Sequence, residues 1–386
     1  MPDALDSPQS IAAVWIGLAL ISSLISVRVG ISVALIEILV GTVAGNAFTL
    51  DTNEWINFLA GFGSVLLTFL AGTEVEPWVL RRKFRQTVSI GVVSFAAPFT
   101  GAFLFAWLAA GWELKAAEIA GIALSTTSVA VVYAVMVETG LNRTELGKVI
   151  LAACFITDLG TVVALGALFA NFNGWLAVFA LVTVAVLAVF PGFSRWFLAA
   201  LRGRASEPEI RFLFVLLMGL GGLAVAARSE AVLPAYLLGM VAADLFAEEQ
   251  IMVQRLRSIT FGLLTPFFFI RAGTLVQFNE VVAGAGLIAA LLGVKLLTKF
   301  IGVQPLTALF RFGRREGLYT SLLMSTGLTF GTISALFGLN HGIIDRGQYT
   351  ILITVVILSA VVPTLIAQQF FQPKTDREEE ESPELV

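Results

Sequence analysis

Residues 116–138 read AAEIAGIALSTTSVAVVYAVMVE, an apolar run of membrane-crossing length with four consecutive hydroxyl residues, Ser125, Thr126, Thr127 and Ser128, in its middle. Apolar stretches of about 20 residues cross a bilayer as helices. Polar residues at that depth are tolerated where the backbone opens inside protein or beside a protein-lined cavity. The run therefore predicts a helix that breaks at 125–128. A second run, 316–340, carries Ser325, Thr326 and Gly327, followed by Thr329, Gly331 and Thr332. Both clusters begin nine residues into their runs. The competing reading is plain packing, since Ser and Thr often hydrogen-bond between membrane helices.

Composition points to the same class. The 386 residues are 58% hydrophobic and 13% charged, with a mean hydropathy of +0.90, whereas soluble domains carry about 25% charged residues. So little charge excludes a soluble enzyme, a nucleic-acid binder and a disordered chain. Barrel strands alternate over about 10 residues, unlike these near-continuous apolar stretches. Cys154 is the single cysteine, which excludes a disulfide framework. With no Cys/His cluster, neither a metal centre nor a cofactor is expected. The first ten residues carry Asp3 and Asp6 but no Lys or Arg, unlike a secretory signal. The first apolar stretch reads as a retained helix.

Apolar stretches bounded by charge or turn residues predict about thirteen spans, at 10–27, 30–48, 55–73, 87–111, 116–138, 146–169, 174–198, 211–227, 230–247, 253–275, 281–308, 316–340 and 347–370. With the N-terminus outside, 18 of the 24 basic residues fall in inside segments and 3 in outside ones. Cytoplasmic loops carry the excess of Lys and Arg, so the bias predicts an outside N-terminus and a cytoplasmic C-terminus. The short acidic tail, 371–386, reads as disordered. Residues 1–370 read as one transmembrane domain.

The triplets of spans within 87–169 and 281–370 carry the two clusters at matching places and start on opposite sides of the membrane. Secondary transporters are often built from such inverted repeats, with the site where discontinuous helices break. Charge inside the bilayer is costly and marks function or pairing. Most acids here lie at span ends or in loops; Asp158, in the centre of 146–169, is the deepest, with Glu37 and Glu118 less deep. A carboxylate binds a small hard cation through oxygen, with hydroxyls, carbonyls and water completing the shell. Desolvation favours the protonated carboxyl, so proton and cation compete for one group. The bland alternative is a helix–helix hydrogen bond. Lys295 and Lys299 lie one turn apart on one helix face. Either could neutralise Asp158, or snorkel to the interface.

These residues bring a family into view. The chain resembles monovalent cation/proton antiporters of the NapA- and Kef-like branch over roughly residues 12–370. Ile36-Glu37-Ile38 with Gly41 and Gly45 is similar to the family's early glutamate–glycine helix. Ala123-Leu124-Ser125-Thr126-Thr127-Ser128 with Val131-Val132 is similar to its first broken helix. Leu146-Gly147-Lys148 leading to Thr157-Asp158-Leu159 resembles the ion-binding helix. Thr298-Lys299-Phe300-Ile301-Gly302 resembles the lysine-bearing helix, which favours Lys299 over Lys295. Leu237-Leu238-Gly239-Met240 and Pro266-Phe267-Phe268-Phe269 are supporting matches.

The resemblance implies an all-α polytopic fold of the NhaA-like antiporter kind, with inverted repeats and two crossed discontinuous helices. It also implies a homodimer with a dimerisation part (about 10–75 and 211–275), a mobile core (about 87–169 and 281–370) and a linker helix (about 174–198), working in an elevator-like way. The expected site is Asp158, Thr157 and Lys299, lined by Ser125–Ser128 and Ser325, Thr326 and Gly327. Relatives carry Asp-Asp, Asn-Asp or Gln-Asp where this chain has Thr157-Asp158. Some carry an Arg/Glu pair where it has Gly327-Leu328-Thr329. A single carboxylate exchanging one proton for one sodium is electroneutral; if Lys299 also carries a proton, exchange is electrogenic.

The expected function is sodium (or lithium)/proton antiport serving pH homeostasis, in a prokaryotic inner membrane, with no nucleic-acid partner and no enzymatic activity. The alternatives are Kef-like potassium/proton exchange, a gated cation channel or ion sensor on the same fold, and, more remotely, an organic-anion symporter. Cys154 reads as small packing and His341 as a solvated loop residue. Arg271 lies within the span 253–275. Glu74 and Glu76 with the Arg81–Arg85 cluster read as a solvated inner rim open to anionic lipid headgroups.

Overall fold

The computed structural model describes residues 7–29, 32–48, 52–73, 83–141, 144–169, 174–201, 207–227 and 231–373. The expectations for the first six residues, for Glu74, Glu76, Arg81 and Arg82, and for the acidic tail beyond Pro373 lie outside them. So do Arg143, Arg202, Arg204 and Arg228 of the charge count. Among the described residues the regular structure is wholly helical.

The count of about thirteen spans needs correction. Eight helices among the described residues are long and apolar enough to cross a membrane: Pro8–Val29, Glu54–Thr73, Phe84–Ala109, Glu145–Leu168, Gly174–Phe197, Pro208–Ala226, Ala285–Leu309 and Arg346–Phe371. The other five stretches are short, interrupted or diluted by charge. Val33–Ala47 has 15 residues and Val232–Glu248 has 17. The stretch 253–275 lies in a continuous helical run, Gln250–Ile259, a π turn at Thr260–Leu264 and Thr265–Thr274, whose Arg255, Arg257 and Arg271 lower its apolar character. The runs 116–138 and 316–340 each yield two half-helices. Summed apolar length overlooks the continuity of the backbone.

The chain divides into two compact units. The first comprises residues 1–75 and 162–277. It holds α1 (Pro8–Val29), α2 (Val33–Ala47) and α3 (Glu54–Thr73), and, between the two segments of the second unit in sequence, a run of further helices that includes Val232–Glu248 and Thr265–Thr274. Two backbone approaches fix its packing. A Cβ at Gly41 of α2 would run into the Ile270 carbonyl, and one at Gly239 would run into that of Phe69 in α3. Only glycine permits such contact. Around the second approach Leu66, Phe69, Leu213, Leu217 and Leu238 form a buried apolar core, with Phe69 edge-on to Phe246 at 5.4 Å.

The second unit comprises residues 76–161 and 278–386. It contains α4 (Phe84–Leu104), the half-helices α5 (Leu114–Ser125) and α6 (Val129–Glu138), and most of α7 (Glu145–Leu168). It also contains the helix Ala285–Leu309, the half-helices Arg314–Leu323 and Thr329–Asn340, and the helix Arg346–Ile366. Small residues on α4 bring its neighbours close. A Cβ on Gly91 would stand 2.5 Å from Ile156 Cβ of α7, and one on Gly101 2.5 Å from Thr298 Cγ2. This packing sets Asp158 and the two lysines on helices that flank α4.

Candidate cation site

The hydroxyl clusters break their helices by offering the backbone other partners. Ser125 Oγ donates to the Ile122 carbonyl at 2.8 Å and Thr126 Oγ1 to that of Ala123 at 3.2 Å. Thr126 is then extended, with φ −61° and ψ 154°. In the second run Ser325 Oγ donates to the Ser321 carbonyl and Thr326 Oγ1 to that of Leu323, both at 2.7 Å. Leu328, at φ −147° and ψ −74°, separates the halves, and Thr332 Oγ1 closes back on its carbonyl at 2.8 Å. Side-chain bonds of this kind compete with the helical ladder.

The two breaks meet. Ser128 N–H donates to the Thr326 carbonyl at 3.1 Å, and Thr127 Oγ1 to the Met324 carbonyl at 2.9 Å. Gly331 sits against the first break, where a Cβ would stand 2.9 Å from the Ala123 carbonyl oxygen and 3.2 Å from Thr126 Oγ1. All of Ser125–Ser128, Ser325 and Thr326 are buried. The two helices are thus interrupted at the hydroxyl clusters, as the sequence reading placed them, and Thr127 also makes an interhelical bond of the kind that the packing alternative expects.

Asp158 and Thr157 lie in α7, 1% and 0% exposed. Thr157 Oγ1 donates to the Cys154 carbonyl at 2.7 Å, and Thr161 Oγ1 to the Thr157 carbonyl at 2.9 Å. Cys154 faces the second interrupted run, its Sγ 3.7 Å from Met324 Sδ. Lys299 is fully buried; its Nζ donates to Ser94 Oγ of α4 at 2.8 Å and to Thr127 Oγ1 at 3.0 Å. Asp158 and Lys299 are near enough for their charges to act on one another, and Lys295 acts on Lys299 likewise. Lys295 is equally buried and donates to Ser359 Oγ at 2.9 Å. Neither lysine snorkels. Thus Ala285–Leu309 brings two buried lysine amines against the hydroxyls of the breaks and of their neighbouring helices, and α7 brings the Asp158 carboxyl within electrostatic reach of Lys299. Such a set suits a small hard cation or a proton.

Other candidates are elsewhere. Glu37 is only 2% exposed, in α2 of the first unit, and Arg271 is half-buried in Thr265–Thr274 of that unit. Glu118 pairs with Lys115 at 2.8 Å. His341 is exposed at the end of Thr329–Asn340, its ring 4.2 Å from that of Phe337. The sequence reading missed Ser94 and Ser359, the hydroxyls that seat the two lysines. Each is a lone serine in an apolar helix, a weak signal without its partner.

Helices interrupted at a common point are a feature of many secondary transporters. The family described as "Sodium/hydrogen exchanger, transmembrane" matches residues 16–372, and the chain belongs to that family. It is accordingly an integral membrane protein, a secondary-active monovalent cation/proton antiporter and not an enzyme. It is 22% identical over 357 residues to "Probable Na(+)/H(+) antiporter 3" of Methanocaldococcus jannaschii, covering 90% of this chain and 91% of that one. It is 23% identical over 361 residues to "Na(+)/H(+)-K(+) antiporter GerN" of Bacillus cereus, covering 90% and 92%. In fold it is similar to the sodium proton antiporter MjNhaP1 of Methanocaldococcus jannaschii, with a TM-score of 0.67 at 16% identity, covering 94% of this chain and 99% of that one.

Proposed function

We propose that the protein exchanges sodium or lithium for protons, with the two species competing for Asp158. The observation that carries this reading is the burial of Asp158 in electrostatic reach of Lys299, whose Nζ donates to Thr127 of the first break. A carboxylate there holds either a proton or a cation, and loading one displaces the other. Thr157 would lend its carbonyl or hydroxyl oxygen to the cation. Lys299, held by Ser94 and Thr127, would balance the carboxylate when no cation is bound. With Thr157 in place of a second acid, one proton leaves for each cation that enters, and exchange is electroneutral.

The remaining parts of this reading concern the whole assembly. The triplets of spans around the two interrupted runs are inverted repeats. The second compact unit is the mobile core of an elevator, and the first belongs to the dimerisation side of a homodimer. The N-terminus lies outside and the C-terminus in the cytoplasm of a prokaryotic inner membrane. The charge distribution supports this orientation, and the two-unit division is compatible with these roles.

The test is exchange in proteoliposomes. With an imposed pH gradient, adding sodium should collapse the gradient and restore the fluorescence of a trapped acid-sensitive dye. No response to sodium, lithium or potassium would refute antiport. A response confined to potassium would favour the second reading, potassium/proton exchange, which the name of the Bacillus cereus relative supports.

A further inference from the structure

A cavity in the first unit is built from other residues than the cation site. It has a volume of about 490 Å³, within the roughly 300–1,000 Å³ of small-ligand pockets. Glu207, Gln254 and Arg255 give it a polar side, and Ile210, Ile251 and Ile259 an apolar one. Its walls are the start of Pro208–Ala226, a helix of membrane-crossing length, and the helix Gln250–Ile259. The latter is amphipathic: Met252, Val253 and Leu256 are buried, while Gln254, Arg255 and Arg257 are exposed. A helix of that pattern suits the level of the lipid headgroups. Arg211, Arg255 and Arg257 belong to the inside segments of the charge count, which puts that level at the cytoplasmic face. The cavity carries both signs of charge. Arg255 Nη1 pairs with Glu207 Oε1. The other carboxylate oxygen, Glu207 Oε2, is shielded from solvent and accepts no hydrogen bond among the described residues, a costly state until a donor arrives. The guanidinium pairs through one nitrogen of a fork of N–H donors that matches phosphate oxygens. Glu207 also holds a left-handed backbone, φ 50°, which a residue with a side chain adopts at a cost.

We propose that this cavity binds a phospholipid whose headgroup carries a primary ammonium, the phosphatidylethanolamine class. The lipid phosphate sits on Arg255, the ammonium donates to Glu207 Oε2, and the first carbons of the acyl chains lie on the three isoleucines. The two charges of the ligand thus match the two of the cavity. A trimethylated headgroup has no N–H to donate to Glu207, and an anionic lipid without an ammonium leaves that oxygen unmet.

The experiment is native mass spectrometry of the full-length protein, stripped of lipid in detergent and titrated with phosphatidylethanolamine, phosphatidylcholine or phosphatidylglycerol of identical acyl chains. The wild type should bind one phosphatidylethanolamine per chain about tenfold more tightly than either of the others. Headgroups methylated once or twice on nitrogen should fall between the ethanolamine and choline lipids. Glu207→Gln should lose the preference for phosphatidylethanolamine, and Arg255→Gln should weaken it and phosphatidylcholine alike. Should either variant not fold, Ile251→Trp fills the cavity from a side chain that is 65% exposed and leaves the ion pair in place. It should lose the one tight lipid. Equal affinity of the wild type for phosphatidylethanolamine and phosphatidylcholine, or a tight lipid retained in Ile251→Trp, would overturn the proposal. Tightest binding of phosphatidylglycerol would overturn it as well, in favour of plain attraction between anionic headgroups and the exposed arginines. Antiport at Asp158 stands or falls independently of these outcomes.

Discussion

Thr127→Val offers the sharpest probe of how the site is held. The replacement keeps the branched shape and removes one hydroxyl. That hydroxyl donates to the Met324 carbonyl at 2.9 Å and accepts from Lys299 Nζ at 3.0 Å. Valine takes away the carbonyl's donor, a cost of about 1–3 kcal/mol for a buried group, and one hydrogen bond to a charged amine, worth about 1.5–3 kcal/mol. Local relaxation recovers part of this, so the expected loss is about 3 kcal/mol, a large share of the roughly 5–15 kcal/mol that holds a typical protein together. Thr127→Ser keeps both bonds and should lose no more than about 1 kcal/mol. The assay is reversible unfolding in mixed micelles titrated with SDS and followed by tryptophan fluorescence. Ser94→Ala removes the other hydroxyl partner of Lys299, at 2.8 Å. In the double variant the ammonium loses both partners, so the combined cost should exceed the sum of the two by about 1 kcal/mol. A Thr127→Val protein within about 0.5 kcal/mol of the wild type, or strict additivity with Ser94→Ala, would refute the bridging role given to this hydroxyl.

Further outcomes follow from the same geometry. Asp158→Asn should abolish sodium-dependent proton movement in proteoliposomes while eluting as a folded protein. Protonation removes the cation's ligand, so the apparent KM for sodium should rise as pH falls, by about tenfold per pH unit once the protonated form predominates; a flat pH profile would contradict competition at one group. Charge-displacement recordings on a solid-supported membrane should show no sodium-driven transient current, as one-for-one exchange requires. Gly239→Ala places a methyl group against the Phe69 carbonyl, with Gly72 Cα 3.0 Å away. Because backbone cannot yield as a side chain can, it should destabilise the protein by about 1–3 kcal/mol in the same SDS titration.

What the sequence disclosed depended on contrast. Four hydroxyls in an apolar run, or one carboxylate at the centre of another, stand out against their surroundings. The helix breaks and the depth of Asp158 were legible for that reason. The spacing of Lys295 and Lys299 showed that they share a face but not what the face meets. Only packing revealed that both are buried and that each has its own serine. Ser94 and Ser359 resemble the many serines that simply hydrogen-bond within membrane helices, and they acquire meaning from a partner 205 or 64 residues away. Helix continuity was the other blind spot. Hydropathy sums over a window, so the shortness of Val33–Ala47 left no trace in it. Glu37 showed a third limit: its burial matches that of Asp158 to within a percentage point, but it belongs to a different compact unit.

The pair of bonds that ties one break to the other also bears on how such a chain can change over generations. Met324 and Thr127 are 197 positions apart, yet a hydroxyl of one stretch fills the need of a carbonyl in the other. A drift at 126–128 that alters the length or angle of the first opening leaves the second with an unmet acceptor. A change in one stretch therefore carries a cost unless the other is changed to match, as though the two were written next to one another.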